Sequence, residues 1–184
     1  MTKDLLEPPA KPRSIGKQRR SYWSRPPQGI IKVNVDAAFS PSSGSAALAM
    51  VGRNSKGEIC FGNVWLCMAL SPLMAEALVL FKATNLVANM GIQHVIFKSD
   101  NQVLISCLKH SDKPVPWDAK TVILCSRQLS KDHFGFMFSF VSREGNKVAD
   151  WMARSALKGK CPSYWAHKPP SSLLSLLIMD GLSM

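Results

Sequence analysis

Between positions 31 and 39 the apolar residues Ile31, Val33, Val35, Ala37 and Phe39 alternate with Lys32, Asn34, Asp36 and Ala38. A period of two requires an extended strand. Residues 45–51 read as a second strand, Asn54-Ser55-Lys56-Gly57 as a tight turn, and 58–66 as a third strand. Three strands joined by short turns imply an antiparallel meander. The pattern then changes. Ser71-Pro72 is a helix start and Gly91 a stop, predicting a helix over 72–90. A short apolar strand over 93–98 precedes helices over 101–109 and 117–130, separated by Pro114 and Pro116. A fifth strand over 134–141 places Phe134, Phe136, Phe138 and Phe140 on one core face, and a last clear helix covers 146–157. The order β-β-β-α-β-α-α-β-α predicts an α/β fold: a mixed sheet with helices on its faces and the first strand at its centre.

The 184 residues suit one domain, and 46% apolar content is enough for a core. No apolar run approaches the ~20 residues of a membrane span, and the late stretch 173–179 is broken by Ser175. The first twenty residues lack the apolar centre of a secretory signal. Five cysteines, odd in number and without a CxxC pair, argue against a disulfide framework or zinc module and for an intracellular, reducing setting. Residues 1–29 read as a Pro-rich extended leader, 30–158 as the domain, and 159–184 as a loosely packed extension. The net charge is +11, and residues 1–25 hold seven basic side chains against two acids. A basic tail on a basic domain fits a polyanionic partner such as nucleic acid; a solvated, solubilising tail fits the charge equally.

Against this basic background four acids stand out. Asp36 lies on the polar face of the first strand near its carboxyl end, where Asp is disfavoured unless solvent-exposed or employed. Glu76 falls on the helix side shared by Leu73, Leu80, Ala83 and Val87, opposite the polar stripe of Lys82, Asn85 and Asn89. A core-facing carboxylate is costly unless paired or bound to a metal, although a first-turn Glu also suits the helix dipole. Asp100 follows a strand and opens a helix, which fits an N-cap and equally a ligand site at the strand's carboxyl end. Asp150 reads locally as an i,i+4 ion pair with Arg154. Three of these acids can meet at one end of the sheet, and carboxylates so gathered repel unless cations neutralise them. Hard oxygen ligands suit Mg²⁺. No glycine-rich phosphate loop, GxSxG elbow or internal repeat is present.

In four ordered stretches the sequence resembles the ribonuclease H family, most closely the plant ribonuclease H-like domains related to reverse transcriptases of non-LTR retroelements. They are Ile31-Lys32-Val33-Asn34-Val35-Asp36-Ala37-Ala38-Phe39, Ala75-Glu76-Ala77-Leu78, Lys98-Ser99-Asp100, and Arg143-Glu144-Gly145-Asn146-Lys147-Val148-Ala149-Asp150, with Trp23-Ser24-Arg25-Pro26-Pro27 similar to the family's lead-in. The resemblance covers residues 22–158. It implies a five-stranded mixed sheet, three strands antiparallel and two parallel, flanked by helices. It also implies that Asp36, Glu76, Asp100 and Asp150 are both the catalytic residues and the ligands of two Mg²⁺ ions, with Mn²⁺ as a substitute. Asp36 would bridge the ions, Asp150 would serve the ion beside the attacking water, and Glu76 and Asp100 the ion facing the leaving 3′ oxygen. The implied activity is hydrolysis of the RNA strand of RNA–DNA hybrids by a monomer with no membrane partner. Two cations about 3.5–4 Å apart suit such an in-line displacement.

The chain departs from the pattern at two places. Phe140 stands ten residues before Asp150, where the resemblance implies a His, and Ala37 stands where many relatives have Gly. A second expectation therefore stands beside the first: a retroelement-derived nucleic-acid-binding or interaction module with little catalysis. Trp117, Trp151 and Trp165 are candidates for base stacking or, for Trp151 especially, packing against the sheet, and Cys60 and Cys67 are expected to be buried, inert thiols.

Overall fold

The computed structural model describes residues 22–181. Strands β1 (Ile31–Phe39), β2 (Ser45–Arg53) and β3 (Ile59–Met68) form the antiparallel meander. Strands β4 (Val95–Ser99) and β5 (Phe136–Phe140) add in parallel on the other side, giving the order β3-β2-β1-β4-β5. The anticipated five-stranded mixed sheet is therefore present, with β1 central. Helices α1 (Pro72–Asn89), α2 (Gln102–Lys109), α3 (Lys120–Asp132), α4 (Lys147–Leu157) and α5 (Ser171–Met179) cover it. Among the described residues no helix is long and apolar enough to cross a membrane.

The start of α1 follows its sequence signal. Ser71 Oγ accepts from the Met74 amide at 3.0 Å and Pro72 occupies the first turn. Gly91, at φ +71°, ends the helix in the left-handed conformation that a Cβ disfavours.

Because β1 is central, both its faces are covered. Val33 and Val35 join Leu80, Val87, Phe97 and Ile123 in the core beneath α1 and α3. The alternate residues Lys32, Asn34 and Asp36 face the other way and are also buried. The second core, beneath α4 and α5, contains Ala49, Val51, Val148, Met152, Trp165, Leu173 and Leu177.

Several expectations need correction. Ordered structure begins before Ile30: Trp23 is buried between the Arg53 guanidinium, 3.7 Å from its ring centroid, and the Lys32 ammonium, at 5.3 Å. The rest of the basic leader, residues 1–21, lies outside the described residues. The segment after residue 158 is not loosely packed. Leu173 and Leu177, one helical turn apart, fill the second core, and Asp180 forms an ion pair with Arg53 at 2.9 Å in which both side chains are buried. Arg25 also donates to the Gly181 carbonyl at 2.6 Å. Trp165 is buried against Gly62, where a Cβ would collide with its ring, so base stacking by Trp165 is excluded. Of the four phenylalanines only Phe136 and Phe138 are buried. Phe134 precedes β5 and is 98% exposed, and Phe140, at the strand's end, is 43% exposed. Cys60 is exposed, because it lies on the edge strand β3.

Candidate active site

The four acids come from four places in the fold: β1, α1, the end of β4 and α4. Asp36 comes from β1, whose even-numbered side chains point toward α4. Glu76 comes from the second turn of α1, on the helix face pressed to the sheet, and is buried as its position among apolar residues predicted. Asp100 follows β4. It is not the N-cap of α2; Asn101 takes that role, with Oδ1 accepting from the Leu104 amide at 3.0 Å. Capping is thus assigned to the neighbour, and the Asp100 carboxylate faces the cleft.

Oxygens of Asp36, Glu76 and Asp100 all lie within 4.8 Å of one another. They open onto a cleft of about 330 Å³ also lined by Ala37, Pro72, Asn101, Arg143, Asp150 and Arg154. Asp150 is thus on the same cleft but outside the cluster of three. Its Oδ1 accepts from Arg154 Nε at 2.6 Å, the ion pair expected from local sequence. Arg143 approaches Asp100 at 3.7 Å with its own side chain almost wholly in solvent.

Electrostatics follow from burial and crowding. Burial first, then the charges of Glu76, Asp100 and Asp150, pushes the Asp36 carboxyl up to about 9. Burial, with Asp100 next, pushes Glu76 up to about 8, opposed by a hydrogen bond from the Ala37 amide to Oε1 at 3.4 Å. Asp100 is also raised, chiefly by burial and against the pull of Arg143. Glu76 Oε2 is buried without a hydrogen-bond partner among the described residues. An orphaned anionic oxygen is expensive, and beside two more carboxylates it fits a hard divalent cation.

A buried amide chain holds Asp36 from behind. Trp23 Nε1 donates to Asn34 Oδ1 at 3.0 Å. Asn34 Nδ2 donates to Asn146 Oδ1 at 2.9 Å and to the Gly145 carbonyl at 3.1 Å. Asn146 Nδ2 donates to Asp36 Oδ1 at 3.2 Å and to the Val35 carbonyl at 2.9 Å.

A sequence profile of the family described as reverse transcriptase-like matches residues 34–156, which include all four acids. The chain belongs to this family. An Arabidopsis thaliana protein provisionally designated a ribonuclease H protein is 27% identical over 168 residues, which is 90% of this chain and 26% of that protein. The chain thus spans about a quarter of that relative's length. The ribonuclease H1 of the halophilic archaeon Halobacterium salinarum superposes with a TM-score of 0.65 at 22% identity, over 71% of this chain and 98% of the other. A ribonuclease H1 isolated from compost, solved with an RNA/DNA hybrid, gives 0.63 at 17% identity, over 70% and 97%. These likenesses establish a ribonuclease H-like fold.

Within this reverse transcriptase-like domain, sequence reasoning missed Asn146 as the partner of Asp36, Asn34 as the partner of Asn146, and Arg143 as part of the cleft wall. Asn34 carried a weak signal, as a polar residue beside Asp36 in a strand expected to be central. No local pattern tied Asn34 to Asn146, because 112 positions separate them.

Proposed function

We propose that this chain is a divalent-cation-dependent endonuclease that hydrolyses the RNA strand of RNA–DNA hybrids. The observation that carries the reading is the cluster of three carboxylates in a cleft, two of them buried, with one Glu76 oxygen that has no hydrogen-bond partner among the described residues. Asp36, Glu76 and Asp100 would hold a cation, and Asp150 at the rim would reach a second on exchanging its Arg154 partner for the ion. Bound Mg²⁺ or Mn²⁺ supplies polarisation of water and stabilisation of charge on the entering and leaving oxygens of a phosphodiester.

The protein's part is orientation. The Asn146 amide fixes one oxygen of Asp36 and the Ala37 amide one oxygen of Glu76, and the second oxygen of Glu76 has no hydrogen-bond partner among the described residues. Near neutrality these two acids retain protons, which a cation must displace. Arg143 lies at the cleft mouth with its guanidinium in water, placed to meet a phosphate. Water adds at phosphorus and the 3′ oxygen departs, leaving a 3′-hydroxyl and a 5′-phosphate.

Two observations favour a second reading, a nucleic-acid-binding module with little catalysis. The Asp150 carboxylate is already engaged by Arg154, and Phe140 stands at the position of the His implied by the resemblance. One assay separates the two. Purified protein with Mg²⁺ is expected to cut the labelled RNA strand of a hybrid, and Asp36→Asn to abolish cutting with the fold intact. Hybrid binding without cutting in either Mg²⁺ or Mn²⁺ would reject the nuclease and leave the binding module.

A further inference from the structure

Helix α4 presents a second surface beside the acids. Lys147, Trp151, Arg154 and Lys158 recur at i, i+4, i+7 and i+11, one stripe of the helix. Together with Lys160 and Leu176 they line an open groove of about 560 Å³. Asp150 and Arg154 line both this groove and the acid cleft, so the two concavities adjoin along that wall. Asp150 is the one acid on the groove's wall, against four cations.

The cations differ in their commitments. Arg154 is paired with Asp150, and Lys147 with Glu144 at 2.6 Å. Lys158 and Lys160 are exposed, and their ammonium groups make no ion pair or hydrogen bond among the described residues. Gly159, at φ +66°, turns the chain back so that the Lys160 amide bonds the Ser155 carbonyl at 2.8 Å, which keeps Lys160 beside Lys158. A solvated charge stripe requires neither a concave floor nor an aromatic ring. Here Trp151 and Leu176 supply an apolar floor beneath the cations.

We propose that this groove carries the phosphate backbone of the hybrid where it leaves the acid cleft, with Arg154, Lys158 and Lys160 meeting successive phosphates and Trp151 packing against the sugar edge. The eight residue steps from Asp150 to Lys158 cover about 12 Å, room for about three phosphates of one strand at ~3.4 Å of duplex axis each. Such contacts grip without reading sequence. The inference rests on the nuclease reading and gives that reading a direction for its substrate.

The test measures hybrid affinity against salt concentration in an Asp36→Asn background, where the RNA stays uncut. Adding Lys158→Ala and Lys160→Ala is expected to lower the slope of log K against log salt by about 1–2 and to weaken binding about tenfold at ~0.1 M salt. With Asp36 restored, the same pair is expected to raise KM and spare kcat. Lys56→Ala, in the β2–β3 turn at the other end of the sheet, is expected to leave the slope within about 0.3 of its starting value. An unchanged slope and affinity in the double variant would overturn the groove, while cutting by the unaltered protein would still uphold the nuclease. An unaltered protein that neither binds nor cuts the hybrid would remove both.

Discussion

Asn146, the residue before α4, donates its side-chain amide to Asp36 Oδ1 at 3.2 Å, so the start of one helix fixes a carboxylate on the central strand. The same amide bonds the Val35 carbonyl at 2.9 Å, and Asn146 is fully buried. Asn146→Ala would take a partner from the Val35 carbonyl and one of the two acceptors of the Asn34 amide, without water to replace them. The expected loss is about 1–3 kcal/mol of stability, read from urea unfolding. The rate of hybrid cutting is expected to fall more than the affinity for hybrid, because a loosened Asp36 spoils alignment rather than grip. Affinity lost with kcat intact would show that Asn146 does not orient Asp36.

The metal-free protein should lose stability as pH rises. Asp36 at about 9 and Glu76 at about 8 both lie above the ordinary carboxylate range. Between about pH 4 and pH 9 the folded state therefore holds protons that the unfolded chain has released, and stability falls with rising pH across that window. In chelator, the urea midpoint is expected to be higher at pH 5 than at pH 8.5, with the difference reduced in Asp36→Asn. A midpoint that climbs across this window would contradict the burial argument.

Metal addition should release protons. At pH 7 the cation displaces protons that Asp36 and Glu76 still carry. Titration of Mg²⁺ in two buffers of different ionisation heat should give different apparent enthalpies for the unaltered protein and matching ones for Asp36→Asn combined with Glu76→Gln. Identical heats in the unaltered protein would mean that the acids are already ionised.

Asp180→Ala removes the partner of a guanidinium that is almost completely buried. A buried charge left without its counter-ion typically costs about 3–5 kcal/mol, so unfolding should move to markedly lower urea. Replacing both partners, with Arg53→Met and Asp180→Leu, should recover most of the loss. A neutral Asp180→Ala would mean that stacking on Trp23 alone sustains Arg53.

The strands and α1 were legible because their signals are local: alternation along β1, the Ser71-Pro72 start, the Gly91 stop. The inward side of Glu76 followed from helical phase alone. The status of Asp36 was harder, since Lys32, Asn34 and Asp36 read as a solvent face until α4 is seen lying over them. Asp100 was ambiguous because its neighbour Asn101 could take the cap equally well. The packing of residues 159–181 was missed although Pro170-Ser171 and the Leu173–Leu177 spacing were visible, because a helix of nine residues carries little propensity signal without the surface it covers. The Arg53–Asp180 pair, joining positions 127 apart, leaves no trace in either neighbourhood.

The meeting of Arg25 with the Gly181 carbonyl, next to Trp23, Arg53 and Asp180, makes the folded unit almost a closed ring. A linker of a few residues could join position 181 to position 22, and the chain could then be reopened at the Asn54–Gly57 turn, at the end of the sheet away from the carboxylates. A circular permutant of that kind would keep every strand in register.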